Sequence, residues 1–191
     1  VVTSKTGTRY IIFDPTDEFT PVGSLRSELQ DTYALIVTDN GGELVHTPVL
    51  APDWNLVTRE GHFTLDDSGA LSGEVSEDRS GDSARAGREE LHYTDERQRT
   101  SDFEHWLSRS IQGFTLTNVE FKHSGERDKD LILDYKISAP QFAQTRGPLM
   151  LVRPRVLDDK SASVEHKSRH YPIELGSTRQ ETDVYEIELP K

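Results

Sequence analysis

Apolar residues in this chain fall into short runs divided by turn-forming residues, and their spacing changes period twice. Tyr10-Ile11-Ile12-Phe13 is a β-prone run. It stops at Asp14-Pro15, because a proline biases the residue before it away from helical backbone. Tyr33-Ala34-Leu35-Ile36-Val37 is continuous rather than alternating, which predicts a strand buried on both faces. Asn40-Gly41-Gly42 is a hairpin signal, and residues 43–47 are expected to return antiparallel. Between these strands, 19–30 reads as a loop with one helical turn near Leu25.

From Trp54 the strand period resumes through Leu56, Phe63 and Leu65, turns at Asp67-Ser68-Gly69, and returns through Leu71, Gly73 and Val75 as a hairpin. A break at Ser80-Gly81-Asp82 follows, where Asp82 or Ser83 could cap a helix. Ala84, Gly87, Arg88 and Leu91 then recur at helical spacing. Ser101-Asp102-Phe103-Glu104 fits a capping box, Phe103, Trp106, Leu107 and Ile111 share one face, and Gly113 supplies a stop. This inserted helical segment, around 82–112, is one bent helix or two short ones. Strands return at Phe114, Leu116, Val119 and Phe121, with an irregularity near Asn118, and at Leu131, Leu133, Tyr135 and Ile137. Residues 140–148 read as a loop, 149–152 as a short strand closed by Pro154, 158–169 as a polar loop, and 171–175 and 184–189 as the last strands. The pattern defines a mainly β, α+β protein, an antiparallel β-sandwich-like domain carrying the helical insertion. Its connections look too short for parallel crossovers.

Composition narrows the function. Of the 191 residues 33% are apolar and 29% charged, and the net charge of −12 repels phosphate backbones, so nucleic acid is not an expected partner. No apolar stretch approaches the roughly 20 residues that span a bilayer, so no membrane insertion is expected. The absence of cysteine excludes disulfides, cysteine-ligated zinc and thiol catalysis by this chain. The opening Val-Val-Thr-Ser-Lys, without methionine, leads us to expect an upstream part.

Residues 9–25, Arg-Tyr-Ile-Ile-Phe-Asp-Pro-Thr-Asp-Glu-Phe-Thr-Pro-Val-Gly-Ser-Leu, resemble the last catalytic strand of bacterial members of the transglutaminase-like (papain-like) superfamily. There a hydrophobic–Asp–Pro/Ala–Thr block is followed by a phrase like Tyr-Thr-Pro-Phe-Gly and a strand like Ala-Leu-Val-Val. Phe19-Thr20-Pro21-Val22-Gly23 and Ala34-Leu35-Ile36-Val37 are the counterparts. Gly69-Ala70-Leu71-Ser72-Gly73, the Gly81, Ala84, Arg88 helix start, and the closing Arg169, Tyr171-Pro172-Ile173 and Leu189-Pro190 are similar to the domain that follows this core. The resemblance implies two parts: 1–53, the C-terminal remnant of a transglutaminase-like core (strand, loop and hairpin), and 54–191, a β-rich accessory domain. It places Asp14 at the third triad position, where an aspartate fixes the tautomer of a histidine that serves a cysteine. Both of those would lie upstream, so the implied role is a non-catalytic accessory or interaction domain, extracytoplasmic, whose partner is the upstream core of the same polypeptide.

Other chemistry is weakly represented. Asp14, Asp17 and Glu18 lack the spacing of a calcium loop, and the histidines show no zinc-binding pair with further ligands, so neither metal nor cofactor is expected. There is no Gly-x-Ser-x-Gly elbow. Asp14 without the resemblance is a strand-end residue capping a turn. Trp106 belongs to the core. Trp54, beside Pro52, either packs between the two parts or stacks on a ligand such as a sugar, and the second option defines the alternative of a glycan- or protein-binding β-sandwich module. A hydrolase using two facing carboxylates, or a purely structural domain, are further readings. Arg85, Arg88, Arg97, Arg99 and Arg109 alternate with acids and read as a solvated, salt-bridged helix face.

Overall fold

The strands are β1 (Val2–Thr6), β2 (Arg9–Phe13), β3 (Tyr33–Thr38), β4 (Gly41–His46), β5 (Leu56–Leu65), β6 (Leu71–Arg79), β7 (Thr115–Lys122), β8 (Leu131–Ala139), β9 (Gln144–Arg146), β10 (Leu149–Leu151) and β11 (Gln180–Glu188). Two helices, α1 (Gly81–Tyr93) and α2 (Glu96–Leu107), lie between β6 and β7. This computed structural model describes residues 2–6, 9–39, 41–157, 168, 171 and 178–190. The expected polar loop over 158–169 and the strand over 171–175 fall almost entirely outside the described residues.

Alternation along residues 56–65 and 71–79 builds the centre. β5 and β6 pair antiparallel from Leu65↔Leu71 to Val57↔Arg79, closed by the turn in which Asp66 accepts from the backbone N–H of Ser68 (2.8 Å) and Ala70 (2.9 Å). β8 adds beside β6 and β7 beside β8, giving the order β11-β5-β6-β8-β7. The irregularity expected near Asn118 is a bulge between Thr117 and Glu120, with Asn118 at a φ of 54°.

The mainly β, α+β class is therefore observed, with two departures from the antiparallel sandwich. First, β11 runs parallel to β5, aligning Asp183 with Arg59 and Tyr185 with Gly61. These two strands are far apart in sequence, so the limit that short connections place on parallel pairing does not apply to them. Second, the layer on the sheet is helical. Phe63, Leu65, Leu71, Val75, Leu133, Tyr135 and Ile137 from the strands form one buried cluster with Phe103 and Leu107 of α2, Ile111, and Ala143, Val156 and Leu157. The opposite face exposes Glu60, His62, Thr64, Ser72, Glu74 and Ser76 to water, so no second sheet is needed there. Burying a side chain such as Leu107 completely contributes about 1.5–3 kcal/mol.

The helical segment is two helices. α2 begins earlier than the Ser101 capping box predicts: Asp95 is its N-cap, accepting from the backbone N–H of Gln98 (2.9 Å), and Ser101 to Glu104 sit in its interior. Neither Asp82 nor Ser83 caps α1. Its N-cap is Ser80, which makes no side-chain cap bond. Instead the buried Asn55 reaches across, its Oδ1 accepting from the backbone N–H (2.9 Å) and hydroxyl (2.7 Å) of Ser83, while its Nδ2 donates to the Thr178 carbonyl (3.0 Å). A helix end is thus satisfied by a residue from the strand entry, which no local pattern reveals. Gly81 permits this approach: its φ is +53°, and a Cβ there would lie 1.9 Å from the Trp54 carbonyl oxygen. The loop over 140–148 also contains β9, which pairs with β10.

Among the described residues, the chain before Asn55 forms two two-stranded sheets, β1 with β2 and β3 with β4. The turn near Leu25 is a 3-10 turn at Ser27–Leu29. The hairpin of β3 and β4 has the expected pairing, from Thr38↔Gly41 to Tyr33↔His46. β3 is not buried on both faces, however. Ile36 is buried, whereas Tyr33, Leu35, Val37 and, across the hairpin, Leu44 are between 64% and 79% exposed.

Candidate functional site

Asp14 follows directly on β2, where Pro15 ends the strand. It is only 5% exposed. Its Oδ1 accepts from the backbone N–H (2.9 Å) and hydroxyl (2.6 Å) of Thr16, which closes the Asp-Pro-Thr turn, and its Oδ2 accepts from an Nη of Arg26 (3.2 Å). The Thr16 hydroxyl, then its backbone N–H and the Arg26 charge hold the Asp14 carboxyl below its ordinary range against the opposing effect of burial. The result is a fixed, ionised carboxylate. With Arg26 on Oδ2, an imidazole would have to share that oxygen or displace the guanidinium.

The pairing continues beyond Asp14. Arg26 lies 3.7 Å from Asp17 and 3.0 Å from Glu28. Asp17 accepts from the backbone N–H of Phe19 (2.8 Å) and from Arg85 (3.3 Å). On α1, Arg85 also donates to Asp82 (2.9 Å) and Glu89 (2.8 Å). The helix-face ion pairs expected for Arg85 are present, and one guanidinium nitrogen additionally ties the turn after β2 to α1. Two further bonds hold the same segment: Gln30 accepts from the backbone N–H of Leu50 (2.9 Å), and the Thr178 hydroxyl donates to the Leu50 carbonyl (2.8 Å).

The hairpin of β3 and β4 turns one apolar stripe outward. Leu35 faces Leu44, Val37 faces Gly42, and Tyr33 packs its ring edge-on against His46 at 5.1 Å. A two-stranded hairpin is marginal alone, and an apolar face on one signals a missing cover.

Trp54 is 56% exposed in the 3-10 turn Pro52–Trp54. The cleft it lines with Leu25, Leu50 and Gly81 has a volume of about 20 Å³, room for roughly one water and not for a sugar ring.

A second buried charge cluster lies under the helices. Arg59 donates to Glu77 and to Asp183 (3.1 Å), and Arg79 donates to the other oxygen of Glu77. Asp183, Arg59 and Glu77 are cross-strand neighbours on β11, β5 and β6. The Trp106 ring covers Arg59 at 5.3 Å and stacks on Phe103 at 5.7 Å. Trp106 is thus partly buried against the core rather than enclosed by it. The sequence carries a signal for this cluster: Arg59 and Glu77 stand in phase with inward-facing apolar positions. Arg88 likewise departs from a solvated helix face, since it is buried.

Among the described residues no three His, Asp or Glu side chains are grouped to hold a metal ion, and no helix is long and apolar enough to cross a membrane. His46 pairs with Asp31 (3.1 Å) and His62 with Glu186 (3.1 Å), while His92 lies 3.9 Å from Glu18, all on the surface. His166 and His170 lie outside the described residues. Comparison of the chain with family models, with curated proteins and with solved structures gives no match.

Proposed function

We propose that this chain is the non-catalytic C-terminal accessory part of a bacterial, extracytoplasmic transglutaminase-like protein, and that its partner is the core of the same polypeptide, seated on the outer face of β3 and β4. The observation that carries the reading is the stripe of Tyr33, Leu35, Val37 and Leu44, exposed on a hairpin that has no third strand among the described residues. Apolar side chains in this number on one face of a two-stranded sheet are stabilised by a cover of matching chemistry. Asp14 supports the same reading. It stands at the end of the preceding strand, ionised and fixed by Thr16 as an orienting carboxylate must be, and an incoming imidazole would share or replace Arg26 on its second oxygen. The chain itself has no cysteine to act as the nucleophile. The alternative of a glycan- or protein-binding module would have to use the exposed face of Trp54, since the cleft it lines does not enclose a ring.

The reading is tested on the parent polypeptide. Its residues before Val1 should supply a cysteine at a helix start and, later, a histidine ahead of a strand, with thiol-dependent acyl transfer or peptide cleavage in the whole protein and none in the isolated chain. A parent without that pair, or turnover by the isolated chain that survives repurification, contradicts it.

A further inference from the structure

The arginines of this acidic protein differ in whether a carboxylate meets them. Arg26, Arg59, Arg79, Arg85 and Arg179 are each ion-paired to a carboxylate. Of the arginines with no carboxylate within ion-pair distance among the described residues, three, Arg88, Arg99 and Arg127, line one concavity of about 280 Å³ with Glu18, His92 and Ser124. It lies where the C-terminal half of α1 meets the turn after Asp17 and the loop joining β7 to β8.

Burial sharpens the imbalance. Arg88 is 3% exposed. It donates to the carbonyls of His123 (3.3 Å), Glu126 (3.1 Å) and Lys129, so its hydrogen bonds are served by dipoles and no described carboxylate reaches ion-pair distance. Burial correspondingly holds the Arg88 guanidinium below its ordinary range, with Asp130 and Asp128 offsetting this from a distance. One Nη of Arg99 donates to the Leu91 carbonyl, while its buried Nε has no hydrogen-bond partner among the described residues. A buried cation and a buried unpaired N–H each carry a cost that an acceptor anion removes. At the mouth, Glu18 is the opposing charge, and it is exposed and turned to His92 at 3.9 Å.

We propose that this concavity binds an oxyanion group, phosphate or carboxylate, which accepts from Arg99 and Arg127 and neutralises the buried charge of Arg88. Guanidinium forks suit such oxygens. The volume is several times the share of one water, so a multi-atom group fits. This site is independent of the hairpin face.

The test is a titration of the full chain with inorganic phosphate and, separately, acetate, each against sodium chloride at matched ionic strength, followed through arginine Nε–Hε resonances by NMR. Saturable movement of the Arg99 signal, with a midpoint on the order of 1–10 mM and no counterpart in chloride, supports the proposal. Response to phosphate alone marks a tetrahedral ligand, and response to acetate marks a carboxylate. Arg127→Gln, at an exposed rim position, keeps the fold and should weaken the midpoint about fivefold. The same drift in all three salts, or a midpoint unmoved by Arg127→Gln, overturns it.

Discussion

Replacing Glu77 by Gln changes almost no volume and removes one buried charge from beneath two arginines. The glutamate is fully buried and its two oxygens are divided between Arg59 and Arg79. In Glu77→Gln one amide oxygen still accepts from one arginine, but the NH2 group is turned, donor against donor, toward the other. Breaking a buried pair from one side costs about 3–5 kcal/mol, because a charge is left uncompensated. Arg59 keeps Asp183 at 3.1 Å, so the lower figure, about 3 kcal/mol, is expected. In a protein of this size that lowers Tm by roughly 6–12 °C. Urea unfolding followed by far-ultraviolet circular dichroism measures it. In an Arg59→Met background the same change should cost about 1–3 kcal/mol less, because the strained partner is gone. A Glu77→Gln protein within 1 kcal/mol of the parent would refute the view that this cluster is a buried, mutually dependent unit.

Other outcomes follow from the same geometry. Asp14 has a folded pKa below its ordinary 3.8, so its contribution to stability is fully present above that value and lost as pH falls through the lowered one. Asp14→Asn should therefore be less stable near neutrality, with the gap closing below about pH 3.8; urea midpoints across that range check it, and a gap constant with pH contradicts it. Gly81→Ala meets the Trp54 carbonyl at a positive φ and should cost about 2–4 kcal/mol, measured by thermal unfolding. A cost under 0.5 kcal/mol would mean that the Trp54 turn and the start of α1 are not in contact.

Legibility in the sequence tracked the range of the interactions. The hairpin of β5 and β6 was readable because alternation and Asp67-Ser68-Gly69 are local signals, and the bulge at Asn118 disturbed an otherwise regular period. α2 starts before its local cap signal, because Ser101-Asp102-Phe103-Glu104 satisfies a cap pattern inside a helix that Asp95 already caps. Continuous apolarity over 33–37 suggested burial on both faces, but a run of that kind equally marks one face turned to the core and one awaiting a partner. The ion pair of Asp17 with Arg85 connects residues far apart in sequence, as does that of Arg59 with Asp183, and charge order along the chain cannot reveal them. Arg59 and Glu77 are the exception, since charged residues in phase with an apolar alternation point inward.

Amide hydrogen exchange across β3 and β4 tests the docking claim most directly, comparing the isolated chain with a polypeptide that includes the proposed upstream core. Hairpin amides should exchange at least about tenfold more slowly in the longer protein. Leu35→Lys should erase that protection while changing the stability of the isolated chain by no more than about 0.5 kcal/mol. Equal exchange in both proteins would contradict the account.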